Sequence, residues 1–147
     1  MEFETFDDGG SRGESDSTQR FSDDLLAEDS QLNAEERSAI DALPSGSALL
    51  IVQRGPNEGA RFLLDQDVTS VGRHPNADIF LDDVTVSRRH SEFRRHGNKF
   101  MIHDLASLNG TYFDGVRIDS ALLDDGAEVQ IGKFKLTFFA ARSDIGE

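Results

Sequence analysis

Phe134-Lys135-Leu136-Thr137-Phe138-Phe139 alternates apolar with polar residues almost to its end. A period of two sends Phe134, Leu136 and Phe138 to one face, which is the signature of a strand lying over a core. Just before it, Glu128-Val129-Gln130-Ile131 reads as another short strand. Further back, Asn109-Gly110 and Asp114-Gly115 are tight-turn dipeptides on either side of Thr111-Tyr112-Phe113, with Val116-Arg117-Ile118 following. Ser91-Glu92-Phe93-Arg94 alternates and is turned by Gly97-Asn98 into Phe100-Met101-Ile102-His103. Asp78-Ile79-Phe80-Leu81 and Thr69-Ser70-Val71-Gly72 are short strands as well. So is Arg61-Phe62-Leu63-Leu64, while Ala48-Leu49-Leu50-Ile51-Val52 is a continuous apolar run closed by the turn cluster Gly55–Gly59. Roughly ten or eleven strands with turns between them and no helical period predict an all-β sandwich.

The chain ahead of these strands has a different composition. Of 147 residues, 37% are hydrophobic, and the formal net charge is -13. Residues 1–46 hold 13 acidic side chains against three arginines, leaving 15 against 12 for residues 47–147. The boundary therefore falls near Pro44-Ser45-Gly46. Residues 1–46 are expected to form a disordered acidic tail and residues 47–147 a nearly balanced domain. Within the tail, Leu25, Leu26, Leu32, Ile40 and Leu43 are spread among acids. Asn33 and Glu36 have capping-box spacing ahead of Arg37-Ser38-Ala39-Ile40, so residues 25–43 read either as a nascent, partner-binding helix or as a plain linker.

Composition also excludes functions. With no cysteine, disulfides, thiolate metal sites and thiol nucleophiles are out. No apolar run is long enough for a membrane span, and the acidic start fits neither a secretory nor a transit peptide, so a cytoplasmic protein is expected. Excess negative charge repels nucleic acid and anionic membranes, and Arg88-Arg89 with Arg94-Arg95 is a thin basic footprint without an aromatic platform. Ser87, His90 and Asp104 supply the residue types of a hydrolytic triad, but no Gly-x-Ser-x-Gly elbow accompanies them. The four histidines lack metal-ligand spacing. The expectation is a protein with no catalytic residue, no metal and no cofactor.

Three loop clusters carry the remaining chemistry: Gly72-Arg73, Ser87-Arg88-Arg89-His90, and Ser107-Leu108-Asn109-Gly110-Thr111. A guanidinium presents a planar fork that matches two phosphate oxygens. A serine hydroxyl adds a donor, and an asparagine amide can bond a peptide backbone in both directions. Together they suit a phosphate displayed on a peptide. Taken singly, Arg73 also fits a surface charge, Ser87 a polar loop residue and Asn109-Gly110 a hairpin turn.

In combination and at these separations, the clusters resemble the forkhead-associated (FHA) domain, from about residue 49 to residue 140. The resemblance implies an eleven-stranded sandwich that binds phosphothreonine peptides through loops at one end. It assigns Arg73, Ser87 and Arg88 to the phosphate and Asn109 to the peptide backbone. Gly72, His90 and Gly110 become loop-shaping residues, His90 as a buried strut. The segment Asp78–His90, with Ser107–Tyr112 and Glu128–Phe134, is similar to the actinobacterial GarA/OdhI group of metabolic regulators. That likeness implies that a Ser/Thr protein kinase phosphorylates a tail threonine, and that the tail then docks on its own FHA domain. The free face would otherwise bind and inhibit 2-oxoglutarate dehydrogenase and act on enzymes of glutamate metabolism. In Asp16-Ser17-Thr18-Gln19-Arg20-Phe21, Thr18 matches the phosphorylation site and Phe21, three residues on, a specificity anchor. Ser17 replaces a first threonine and is the lesser candidate; Thr5, with Asp8 after it, is weaker still. The protein is expected to be a monomer. The alternative is a general phosphothreonine-binding adaptor that recruits other kinase substrates.

Overall fold

A computed structural model describes residues 32–145. The expectations placed on Ser17, Thr18 and Phe21 lie outside these residues. The chain divides into two units, residues 1–39 and 40–147. The described part of the first unit enters helix α1, Ala34–Asp41. Its start is a reciprocal cap: Glu36 N donates to Asn33 Oδ1 at 2.7 Å, and Asn33 N donates to Glu36 Oε1 at 3.1 Å. Two of the helix's orphan donors are thereby satisfied, with Glu35 and Glu36 at its positive end.

The second unit carries eleven strands in two sheets. They are β1 (Ala48–Arg54), β2 (Arg61–Leu64), β3 (Val68–Gly72), β4 (Ile79–Phe80), β5 (Ser91–His96), β6 (Lys99–Asp104), β7 (Thr111–Phe113), β8 (Val116–Ile118), β9 (Ser120–Leu123), β10 (Glu128–Ile131) and β11 (Phe134–Ala140). One sheet runs β2-β1-β11-β10-β7-β8 and is antiparallel throughout. The other runs β4-β3-β5-β6-β9, where the short β4 joins β3 in parallel. Ala48, Leu50 and Val52 of β1 meet Phe134, Leu136 and Phe138 of β11 in the core, with Val71, Phe93, Phe100 and Ile102 from the second sheet. Phe100 and Phe138 meet edge to face, with ring centroids 5.7 Å apart. Leu49 and Ile51 lie outside that cluster yet are buried, which is why β1 reads as a continuous apolar run.

The strand the sequence did not announce is β9. Its Leu122 and Leu123 have no β-branch and its Ser120 no core role, so propensity is silent there. Pairing with β6, from Phe100↔Leu123 to His103↔Ser120, imposes the strand.

A polar knot ties the entry of the sandwich to its exit. Asp144, almost fully buried, accepts from Ser45 Oγ at 2.6 Å, Gly46 N at 2.8 Å and Asn98 Nδ2 at 3.3 Å. The bonds from Gly46 and then Ser45 hold its carboxyl below the usual carboxylate range. Arg95 fastens the same corner, from Nη1 to Gly46 O and from Nη2 to Asp67. Asn98 sits in the turn after β5, one strand length from the loop that precedes β5. The chain thus enters the sandwich at the end opposite the loops carrying Arg73, Ser87 and Asn109.

Candidate functional site

The last residues of β3 lie against the loop that leads into β5. Arg73 N donates to Ser87 O at 3.0 Å, His74 N to Arg88 O at 3.3 Å, and His90 N to Val71 O at 3.0 Å. The approach is close enough that a Cβ on Gly72 would stand 2.0 Å from Arg88 O and 3.2 Å from Ser87 O. Only glycine lets the two backbones touch in this way. Arg73 is thereby fixed beside Ser87 and Arg88.

His90 joins that loop to the one between β6 and β7. Its ring is fully buried. Nδ1 accepts from Ser87 N at 3.1 Å, so Nε2 carries the hydrogen and donates to Gly110 O at 2.9 Å. Burial lowers its pKa, against the opposing pull of the Gly110 carbonyl and the Asp104 charge. Both ring nitrogens are thus committed to backbone rather than to a serine hydroxyl and a carboxylate, and Ser87, His90 and Asp104 form no proton relay. Asp104 is engaged elsewhere: it accepts from Ser107 Oγ at 2.5 Å, Thr111 Oγ1 at 2.7 Å and Ser107 N at 3.2 Å. Burial alone would raise its pKa, but the bonds from Ser107 and Thr111 outweigh it and the carboxyl titrates low. Ser107 Oγ in turn accepts from Gly110 N at 3.0 Å. Gly110, at φ +87°, supplies the left-handed turn that this circuit needs.

The groups left facing outward are donors. Among the described residues, Arg73 spends Nε on Val86 O at 3.0 Å and leaves its terminal nitrogens uncommitted, and the exposed Arg88 guanidinium makes no bond. Ser87 Oγ accepts from Leu108 N at 3.0 Å, which leaves its hydrogen to donate. Asn109 Nδ2 donates to Thr85 O at 2.9 Å, leaving Oδ1 as an acceptor. The structure therefore brings Arg73, Ser87, Arg88 and Asn109 to one loop surface, over Gly72, His90 and Gly110. Thr85 is a hub that sequence reasoning missed. Its Oγ1 donates to Asp83 Oδ2 at 2.5 Å and accepts from Lys133 N at 3.0 Å. The Thr85 hydroxyl and amide bonds hold the Asp83 carboxyl low. Asp104 was also missed as a brace; its three-residue spacing to Ser107 is a turn signal that could have found it.

These donors gather at one loop end of a β-sandwich, and the family profile of the FHA domain matches residues 69–132. The glycogen accumulation regulator GarA of Mycolicibacterium smegmatis is 65% identical over 101 residues, which are 69% of this chain and 64% of that protein. The oxoglutarate dehydrogenase inhibitor of Corynebacterium jeikeium is 54% identical over 125 residues, 84% of this chain and 87% of that one. The chain belongs to this FHA-domain family of actinobacterial regulators. A domain solved in an analysis of phosphothreonine-dependent FHA interactions superposes with a TM-score of 0.59 at 29% identity, over 63% of this chain and 95% of that one. The relatives are regulators and inhibitors built on a binding module. Among the described residues, no helix is long and apolar enough to cross a membrane.

Proposed function

We propose that this chain is a cytoplasmic, monomeric, non-catalytic regulator whose FHA face has two alternative occupants. Unphosphorylated, the face binds and inhibits 2-oxoglutarate dehydrogenase, the enzyme for which the corynebacterial relative is named, and modulates enzymes of glutamate metabolism. A Ser/Thr protein kinase then phosphorylates Thr18, and the phosphorylated tail docks on its own domain and blocks the face. The observation that carries this reading is the set of uncommitted donors on a braced platform: the Arg73 and Arg88 guanidiniums and the Ser87 hydroxyl hydrogen. A phosphate dianion answers all three at once, and each charge-assisted bond contributes about 1.5–3 kcal/mol.

Phe21 has an apolar seat available. Val84 and Leu108 are 86% and 84% exposed, and their neighbours Thr85 and Asn109 are bonded to each other beside Ser87. Such exposed side chains on a rigid loop platform suit an aromatic ring arriving with the phosphate. The test is titration of the protein into a 2-oxoglutarate dehydrogenase assay. The unphosphorylated form should inhibit and the Thr18-phosphorylated form should not. Equal behaviour of the two forms would refute the switch.

A further inference from the structure

Arg117 lies in β8, the edge strand of the first sheet, opposite Tyr112 of β7. It is exposed and makes no ion pair or hydrogen bond among the described residues. Its side chain nevertheless reaches back over the loop end. Nε and Cζ lie 2.6 and 3.0 Å from the point where a Cβ on Gly110 would stand. Gly110 follows Asn109, and Leu108, two residues back, donates its N–H to Ser87. The guanidinium therefore sits over Gly110, two residues along the same turn from the residue whose N–H holds Ser87. No acid answers it in the sheet: the register leads from Arg117 to Tyr112 and then to Gln130. Lys133, another cation near these loops, already acts on Asp83, and Arg73, Arg88 and Arg89 lie in the Gly72–His74 and Ser87–His90 loops.

We propose that Arg117 forms a second anion subsite, which reads a carboxylate two residues before the phosphothreonine of the bound peptide; this rests on the phosphopeptide reading above. In the chain's own tail that carboxylate is Asp16. An extended chain covers about 3.3 Å per residue, so Asp16 lies about 7 Å from Thr18, whereas Asp23 lies about 17 Å away. Asp16 is thus the nearer of these carboxylates to the phosphothreonine, and the one placed to reach Arg117 over the Ser107–Gly110 loop beside Ser87.

The test is a double-mutant cycle by calorimetry. Phosphothreonine peptides of residues 12–27, with and without Asp16→Asn, are titrated into the unphosphorylated full chain and into its Arg117→Gln and Arg117→Lys variants. With the native chain, Asp16→Asn should weaken binding about three- to fivefold, the scale of a partly exposed ion pair. That difference should vanish in Arg117→Gln, persist in part in Arg117→Lys, and shrink with added salt. A peptide carrying Asp23→Asn and Asp24→Asn should show no such coupling. If the Asp16 effect survives intact in Arg117→Gln, or is absent with the native chain, the subsite is wrong. An Arg73→Ala reference separates the two readings. Lost binding there with no Asp16–Arg117 coupling overturns the subsite alone, whereas undiminished binding overturns the phosphate site with it.

Discussion

Arg73 is held at Nε and open at its terminal nitrogens, so its fork is aimed before any ligand arrives. Pre-aimed donors lose little entropy on binding, and removing one should be costly. Arg73→Ala is expected to weaken a Thr18 phosphopeptide by about tenfold to a hundredfold, the loss of one or two charge-assisted bonds. Ser87→Ala should act in the same direction; calorimetry reads both, and unchanged affinities would remove these residues from the site. His90 makes a pH prediction. Burial holds its pKa below 6.5, so the unfolded chain binds the proton more readily than the folded one. Its contribution to stability is complete above about pH 6.5 and declines as pH falls below that value. Protonation at Nδ1 would also remove the acceptor for Ser87 N. Denaturant midpoints should fall between pH 7.5 and 5.5, with the His90 ring, followed by NMR, titrating below 6.5; a midpoint above that value would contradict the assignment. His103 shifts in the same direction, through burial and then Arg94, so the ring signals must be resolved individually.

At the scale of elements, the site exists because strand ends are pinned to loops. Gly72 closes β3 against the Ser87–Arg88 backbone, and no side-chain rotation can relieve a Cβ placed 2.0 Å from a carbonyl oxygen. Gly72→Ala should force β3 and the loop apart, cost about 1–3 kcal/mol or more as overpacking does, and abolish phosphopeptide binding. A melt and a titration of the same variant check both; a variant that binds normally would show that the contact is dispensable. Most of these elements were legible in the sequence because alternation and turn residues agree, as in β11 and in the β5–β6 hairpin. The dipeptide Asn109-Gly110 was legible as a turn, while its support from Asp104 was not. A brace assembled from Ser107, Thr111 and a carboxylate has no periodicity to read.

Across the whole molecule, Ser45 and Gly46 lie at the Arg95 end of β5, away from the loops that carry Arg73 and Ser87. Six residues of β5 span about 20 Å between the two ends. Thr18 precedes Ser47 by 29 residues; Ala34–Asp41 among them are helical, and the other 21 can extend to about 70 Å. Self-docking is therefore sterically open, at an effective concentration of about a millimolar. If the free phosphopeptide bound with a micromolar constant, a competing partner would lose about a thousandfold in apparent affinity. NMR of the phosphorylated protein should show shifts around Arg73, Ser87 and Asn109 that do not change with protein concentration. Phe21→Ala should loosen the closed form. Shifts that appear only as the protein dimerises would exclude the intramolecular switch.

What the sequence determined by itself is local. It set which segments alternate, where the turns fall, how charge divides near residue 46, and which residue types suit a phosphate. The Asn33–Glu36 cap is of this kind too, because both partners lie within one helical turn. What only the tertiary structure decided is long-range. Thr85 meets Lys133 from 48 positions away, Asp144 closes on Ser45 across 99, and β9 is a strand because β6 is beside it. Those contacts depend on two sheets meeting in one register, and a linear pattern holds no record of which distant residue the register will place opposite.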